Sequence, residues 1–198
     1  MSKSVPDRWL DYEPYGTVID GTKILPFKVP LKEAVLRNLE PEKRFSTTSL
    51  LQAFPRLKYI IDLTNTRRYY DEEELTSCGV KYEKIMIPGR EIPPVEIENK
   101  FFETMDEFTS ACGEDDIVGV HCTHGINRTG YLICRYLIQQ FNWECDNSLK
   151  AFEKARGYAI ERQIYVNALS STPRQKIDVS KLKVDTSVVR LAPETSNW

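Results

Sequence analysis

Residues 117–134 read Ile-Val-Gly-Val-His-Cys-Thr-His-Gly-Ile-Asn-Arg-Thr-Gly-Tyr-Leu-Ile-Cys, and they restrict the fold more tightly than any other stretch. A β-branched apolar run, a polar loop and an amphipathic segment follow one another without a spacer. That is the pattern of a buried strand turning directly into a helix. Cys122 and Arg128 stand five residues apart across the loop, and Thr129-Gly130 follows at once. A C-x5-R loop between a strand and a helix forms an anion cradle with a nucleophile at its base.

The residue types explain the chemistry. Only the thiolate form of a cysteine attacks phosphorus well. A helix N-terminus, unpaired loop N–H groups and a nearby guanidinium all favour that anion, so Cys122 is expected to have a lowered pKa. The N–H groups of residues 123–128, contributed by Thr123, His124, Gly125, Ile126, Asn127 and Arg128, can turn inward as an anion-binding nest. Gly125 permits a positive φ or a close backbone approach. Arg128 can hold two phosphate oxygens bidentately, which a lysine cannot match. Thr129 can donate its hydroxyl to the sulfur, and Gly130 lets the helix start close against the sheet. A zinc site built from Cys112, His121, Cys122 and His124 is the competing reading. It lacks a C-x2-C pair and gives no reason for Arg-Thr-Gly at fixed spacing.

His121-Cys122-Thr123-His124-Gly125-Ile126-Asn127-Arg128-Thr129-Gly130 resembles the HCxxGxxRTG signature of cysteine-dependent phosphatases of the dual-specificity type. The fuller HCTHGxNRTG resembles their RNA 5′-triphosphatase branch. That branch holds the N-terminal domain of metazoan mRNA capping enzymes and a free-standing RNA-directed phosphatase. Three further segments carry the same resemblance: Val5-Pro6-Asp7-Arg8-Trp9, Ile61-Asp62-Leu63-Thr64-Asn65-Thr66-Arg67-Arg68-Tyr69-Tyr70, and Arg156 to Tyr165 with Glu161-Arg162-Gln163. The resemblance implies an α/β fold, a single domain with a central, mostly parallel twisted sheet flanked by helices. It also implies 5′-triphosphate or 5′-diphosphate RNA as substrate, RNA-processing or ribonucleoprotein complexes as partners, a monomer, no cofactor, no metal, and a nuclear location that extends to the cytoplasm.

Composition bounds the remaining classes. The chain of 198 residues is long enough for one domain with its own core. Its 41% hydrophobic and 28% charged residues are ordinary for a globular protein. A net charge of −2 offers no broad nucleic-acid footprint, so RNA contact has to be local to the 5′ phosphates. Five cysteines without regular spacing fit a reducing compartment. The N-terminus has no apolar h-region and no run reaches membrane-spanning length, so neither secretion nor a membrane span is expected.

Along the chain, residues 18–25 read as a tight hairpin around Asp20-Gly21, with Trp9 anchoring an N-terminal arm over residues 1–30. Short helices are expected within 30–38, within 45–54 behind a Ser46 or Thr47 cap, and within 71–78 ahead of Gly79. Strands are expected at 59–64, 80–87 and 116–121. Phe101, Phe102, Met105, Phe108 and Cys112 recur at helical spacing as core. Helices follow over 130–141, through Ala155 behind Asp146 or Asn147, and from 159 onward. The domain is expected to span 1–170 and a tail 171–198. The tail carries Lys183-Val184-Asp185-Thr186 where a guanylyltransferase has Lys-x-Asp-Gly, which predicts a free-standing phosphatase.

Residues just past the carboxyl ends of parallel strands line the ligand crevice, which places Asp62 and Asn65 near Cys122 as candidate site residues. In the competing reading, Asp62 satisfies buried backbone and Asn65 or Thr66 caps a helix. Arg67, Arg68, Arg90 and Arg162 are candidate outer phosphate contacts; Arg162 reads equally as a surface residue at a helix end. General cysteine phosphatases protonate their leaving group with an aspartate from an upstream loop. Residues 89–96 contain none, so either Glu91 substitutes or no acid is used. A leaving phosphate has little need of one, which favours phosphoanhydride substrates. The expected activity is removal of the γ-phosphate, and by resemblance to the free-standing branch also the β-phosphate, through a cysteinyl-phosphate. The alternatives are a dual-specificity protein or phosphoinositide phosphatase, and an adaptor that binds phosphate ends.

Overall fold

The computed structural model describes residues 4–173, so the expected tail lies almost wholly outside the described residues. Four strands form one sheet: β1 Ile24–Lys28, β2 Leu57–Asp62, β3 Lys81–Lys84 and β4 Ile117–Cys122. Their order is β1-β4-β2-β3 and every pairing is parallel. The helices are α1 Glu33–Leu36, α2 Thr47–Ala53, α3 Glu73–Thr76, α4 Val95–Ala111, α5 Asn127–Gln140, α6 Cys145–Arg156 and α7 Gln163–Ser170. Parallel strands need crossovers, and helices on both faces supply them.

The strand patterns divide the apolar residues between two layers. Val118, Val120 and Cys122 of β4 pack with the stripe Phe101, Met105 and Phe108 of α4 and with Leu132, Ile133 and Tyr136 of α5. Leu25, Phe27 and Ile60 face the other way, onto Trp9, Leu36, Leu50 and Leu75. A register shift between Leu57 and Tyr59 puts those two residues in opposite layers, although their spacing in a regular strand would place them on one face. Because all four strands run the same way, Lys28, Asp62, Lys84 and Cys122 end along one edge of the sheet, with Lys28 paired to Cys122 and Asp62 to His121.

Trp9 is fully buried and donates its indole N–H to the Val29 carbonyl at 2.9 Å. Lys28 Nζ lies 3.6 Å from the centre of its ring and donates to the carbonyls of Trp9 and Tyr12. The arm is thus tied to the end of β1. Ser46 caps α2 through a reciprocal capping box with Ser49.

Three local expectations are corrected. Asp20-Gly21 makes a turn, with Gly21 at φ +76° and Ile19 N–H bonded to the Ile24 carbonyl, and an isolated antiparallel bridge joins Tyr15 to Phe27. However, no strand precedes the turn among the described residues, and the ladder partner of β1 is β4. α6 starts at Cys145, two residues earlier than an Asp146 cap implies, with Glu144 at its cap position and no side-chain capping bond. α5 starts at Asn127, three residues before Gly130. Among the described residues, no helix is long and apolar enough to cross a membrane.

Candidate active site

The early start of α5 shapes the site. Arg128 and Thr129 belong to its first turn, where helical N–H groups have no partner within the helix. The loop closes because Gly125 takes φ +68° and sits so close to β1 that a Cβ there would lie 2.1 Å from the Phe27 carbonyl oxygen. Gly130 serves packing of another kind. A Cβ would meet Phe152 of α6 at 2.8 Å and Ile160 at 2.6 Å, so it admits these side chains and not, as the spacing implied, the sheet.

Cys122 is the floor of a pocket of about 290 Å³ whose wall includes Arg8, Arg90, Arg128 and Arg162. Burial alone would push its thiol up. The Arg128 guanidinium, the hydroxyl and N–H of Thr129 and the N–H of His124 outweigh that, and the thiol lies below the ordinary cysteine value. The Thr129 hydroxyl is fully buried and has no other partner among the described residues, so its proton is available to the Cys122 sulfur. The Arg128 guanidinium is fixed by donating to the carbonyls of Leu63 at 3.1 Å and Ile87 at 2.7 Å and to Thr123 Oγ1 at 3.0 Å. A thiolate beside a fixed guanidinium, beneath inward N–H groups, can attack a phosphorus and stabilise its oxygens.

The side chains of Ile126, His124 and Asn127 build the surroundings of the loop. Ile126 is buried, so only its backbone is available. His124 Nε2 lies 2.7 Å from the Asp7 carbonyl, its ring packs on Tyr12, and burial holds it below the usual histidine value. Asn127 accepts from the Arg162 N–H at 2.9 Å. These two side chains hold the pocket wall together.

Asp62 does not line this pocket, which corrects its placement as a site residue. Its carboxylate is 3% exposed and accepts from Tyr82 Oη at 2.8 Å, Lys84 Nζ at 2.8 Å and Thr64 N–H at 2.7 Å. Asn65 lies along a neighbouring shallow depression that shares Thr123 and Arg128 with the main pocket. Arg67 pairs with Glu72 at 2.6 Å and lines a separate cavity. Glu91 is exposed and does not line the Cys122 pocket.

Two contributors escaped the sequence reading. Arg8 reaches the pocket from the N-terminal arm, held by Glu161 at 2.9 Å. Hydrogen bonds from Arg8, then from Tyr12 and Asn127, hold the Glu161 carboxyl down at about 2. Arg156, 1% exposed, donates to the carbonyls of Gly125, His124 and Glu13. By holding two loop carbonyls outward it keeps the N–H groups turned in. Motif spacing signals neither, because the partners are distant in sequence; the Pro-x-Arg-Trp segment offered the best hint for Arg8. At about pH 6, Cys122 is expected to be alkylated by iodoacetamide ahead of the exposed Cys78, and Arg156→Met to slow the reaction. Mass mapping of the modified cysteines checks both.

A family model described as the dual specificity phosphatase catalytic domain matches residues 39–175. The chain is 41% identical over 177 residues to the RNA/RNP complex-1-interacting phosphatase of Homo sapiens, covering 87% of this chain and 53% of that protein. It is 42% identical over 165 residues to the tyrosine-protein phosphatase of Autographa californica nuclear polyhedrosis virus, covering 83% and 98% respectively. The chain therefore spans about half the length of several curated relatives that it matches. Tk-PTP in its active form shares the fold with a TM-score of 0.60 at 19% identity, over 79% of this chain and 97% of that one. PTPMT1 in complex with PI(5)P gives 0.58 at 21% identity, over 80% and 93%. A match over most of the chain, together with relatives at this identity, means that the chain belongs to the dual-specificity phosphatases, within their RNA/RNP phosphatase branch.

Proposed function

We propose that the chain is an RNA 5′-polyphosphatase that removes the γ-phosphate, and then the β-phosphate, from 5′-triphosphate RNA. The observation that carries this reading is the ring of guanidinium groups. Arg8, Arg68, Arg90 and Arg162 join Arg128 around Cys122, in a chain whose net charge is −2. One arginine serves a single phosphoryl group. Four more, of which Arg8 is already paired with Glu161, match the charges that a phosphoanhydride chain carries beyond the reacting phosphorus.

The carboxylates support the same substrate. Those on the pocket wall are Asp7 and Glu161, and Glu161 is held ionised by Arg8, a poor state for a proton donor. A departing phosphate is weakly basic and leaves without one. In the proposed reaction the Cys122 thiolate attacks the terminal phosphorus in line with the anhydride oxygen. The S–P bond forms as the P–O bond breaks, and its electron pair leaves on the shortened RNA end. Arg128 and the loop N–H groups hold the equatorial oxygens, and Thr129 supports the sulfur. Water then attacks the cysteinyl-phosphate, releasing phosphate and restoring the thiol. Arg128 and the N–H groups supply the positive charge, so no metal is required. The human relative is named for RNA/RNP complexes, and the same partner class is proposed here. A nuclear or cytoplasmic setting goes with that proposal.

A second reading is favoured by the viral relative, named a tyrosine-protein phosphatase. RNA labelled at the γ- or β-phosphate and a phosphotyrosine peptide separate the two. Release of both labels from RNA in EDTA, with far slower turnover of the peptide, is the expected result. Turnover of the peptide and not of RNA would refute the proposal.

A further inference from the structure

The mouth of the Cys122 pocket is not uniformly charged. Tyr69 and Arg68 form one side of it, and the same two residues line a second, shallower depression of about 420 Å³. The other aromatic on the main wall, Tyr165, is fully buried, so Tyr69 is the half-buried aromatic ring at the rim. The Arg68 guanidinium lies over the Tyr69 ring, 5.1 Å from its centre, and Nη2 donates to the tyrosine hydroxyl at 3.3 Å. Two flat groups are thereby held together at the opening. The backbone beneath them is fixed, since the Tyr69 carbonyl accepts the Lys32 N–H at 2.7 Å.

The second depression differs in chemistry from the phosphate floor. Beyond Arg68 and Tyr69, its outer wall is Asn65 and Thr66, an exposed amide and a half-buried hydroxyl. The loop that carries them is held by Lys84 Nζ, which donates to Thr64 Oγ1 at 2.5 Å and to the Thr66 carbonyl at 2.8 Å. Flat π and guanidinium faces are what an unstacked base packs on. An amide that both donates and accepts matches a ribose hydroxyl. Thr123 and Arg128 line both the depression and the Cys122 pocket, so the depression opens directly off the phosphate floor. A chain of phosphates rising past the arginines would deliver its nucleoside there.

We propose that this depression seats the first nucleoside of the RNA, with its base on the Tyr69–Arg68 pair and its ribose facing Asn65. The proposal rests on the polyphosphatase reading and names the part of the substrate that the reading leaves open. It makes the site selective for a polyphosphate attached to a nucleoside over a bare polyphosphate.

Inorganic triphosphate and a 5′-triphosphate oligoribonucleotide present the same anhydride with and without that nucleoside. Steady-state constants on both, for the wild type, Tyr69→Ala, Tyr69→Phe and Arg68→Gln, test the proposal. Tyr69→Ala is expected to raise KM for the oligonucleotide about 10-fold or more and to leave inorganic triphosphate within about 2-fold. Tyr69→Phe should retain wild-type behaviour, and Arg68→Gln, which removes a cation from the pocket mouth as well as the stacking partner, should lose more on the oligonucleotide than on inorganic triphosphate. Equal losses on the two substrates would assign these side chains to the phosphates or to folding and overturn the proposal. So would no change on either. If wild-type protein turns over neither labelled phosphate of the oligonucleotide, the polyphosphatase reading itself falls, and the nucleoside site falls with it. Wild-type turnover with equal losses in the variants removes the nucleoside site alone.

Discussion

Arg128→Lys is expected to lower kcat on 5′-triphosphate RNA by about 10³-fold while the chain still folds. The guanidinium now reaches three acceptors at once, the Leu63 and Ile87 carbonyls and Thr123 Oγ1. A lysine ammonium on a flexible stem cannot keep that plane or hold two phosphate oxygens in parallel. The loss also affects the nucleophile, because the guanidinium is the foremost group opposing burial at Cys122. In the variant the thiol is held down less firmly, so the acid limb of the kcat/KM profile should move to higher pH. Single-turnover rates across the pH range measure both effects. A variant with an unchanged profile and a small rate loss would show that Arg128 acts neither on the phosphoryl group nor on the thiol.

The second large effect concerns stability. Lys84→Met is expected to cost about 3–5 kcal/mol, because it leaves the Asp62 carboxylate buried without its cation. The pair is separated by 2.8 Å, with side chains 5% and 4% exposed. For a chain of this size that corresponds to roughly a 10 °C fall in Tm. The double variant Asp62→Asn/Lys84→Met should recover part of the loss, since no ionised group is then left unpartnered. Burial alone would raise the Asp62 carboxyl, but His121, Lys84 and the Thr64 N–H outweigh it and hold it below the ordinary value. Burial also wins at Lys84, whose value is lowered despite its partner. A carboxyl depressed in the folded state contributes stability that is complete above its unfolded value, about pH 4. That contribution is lost as pH falls through the folded value. The wild type should therefore show a steeper acid fall in Tm than the double variant, which keeps only the part due to other depressed carboxyls such as Glu161. Calorimetric melts over about pH 2–6, which span the unfolded carboxyl value of about 4 and the region below it where the folded group titrates, check this.

Asp62 also shows how far the sequence reaches. A parallel sheet puts the residues that end its strands along one edge, and Asp62 ends β2 beside β4. What sequence position did not reveal is the direction of the side chain. Tyr82 and Lys84, both on β3 next door, draw the carboxylate away from Cys122. The Cys122 loop was legible because its geometry is local: one strand end, one glycine at positive φ and one helical first turn. Three of the four strands and the long helices were legible for the same reason, from apolar runs, one alternating stretch and helical spacing. By contrast β1, read only as part of a hairpin, owes its place to pairing with the distant β4. The outer wall was not. Arg8 comes from the start of the chain and Glu161 from near its end, 153 residues apart. Arg156 holds loop carbonyls more than 30 residues away. The helix starts were hardest to place where the N-cap residue makes no side-chain capping bond, at Ile126 and Glu144.

The most direct measurement is transfer of label from RNA to the protein. Incubation with γ-labelled 5′-triphosphate RNA, a rapid quench and peptide mapping should find the label on the peptide that carries Cys122. The labelled species should form at the rate of the first turnover, persist in EDTA, and be lost in Cys122→Ser together with phosphate release. Phosphate release from RNA without labelled Cys122, or release that survives Cys122→Ser, would contradict the cysteinyl-phosphate account.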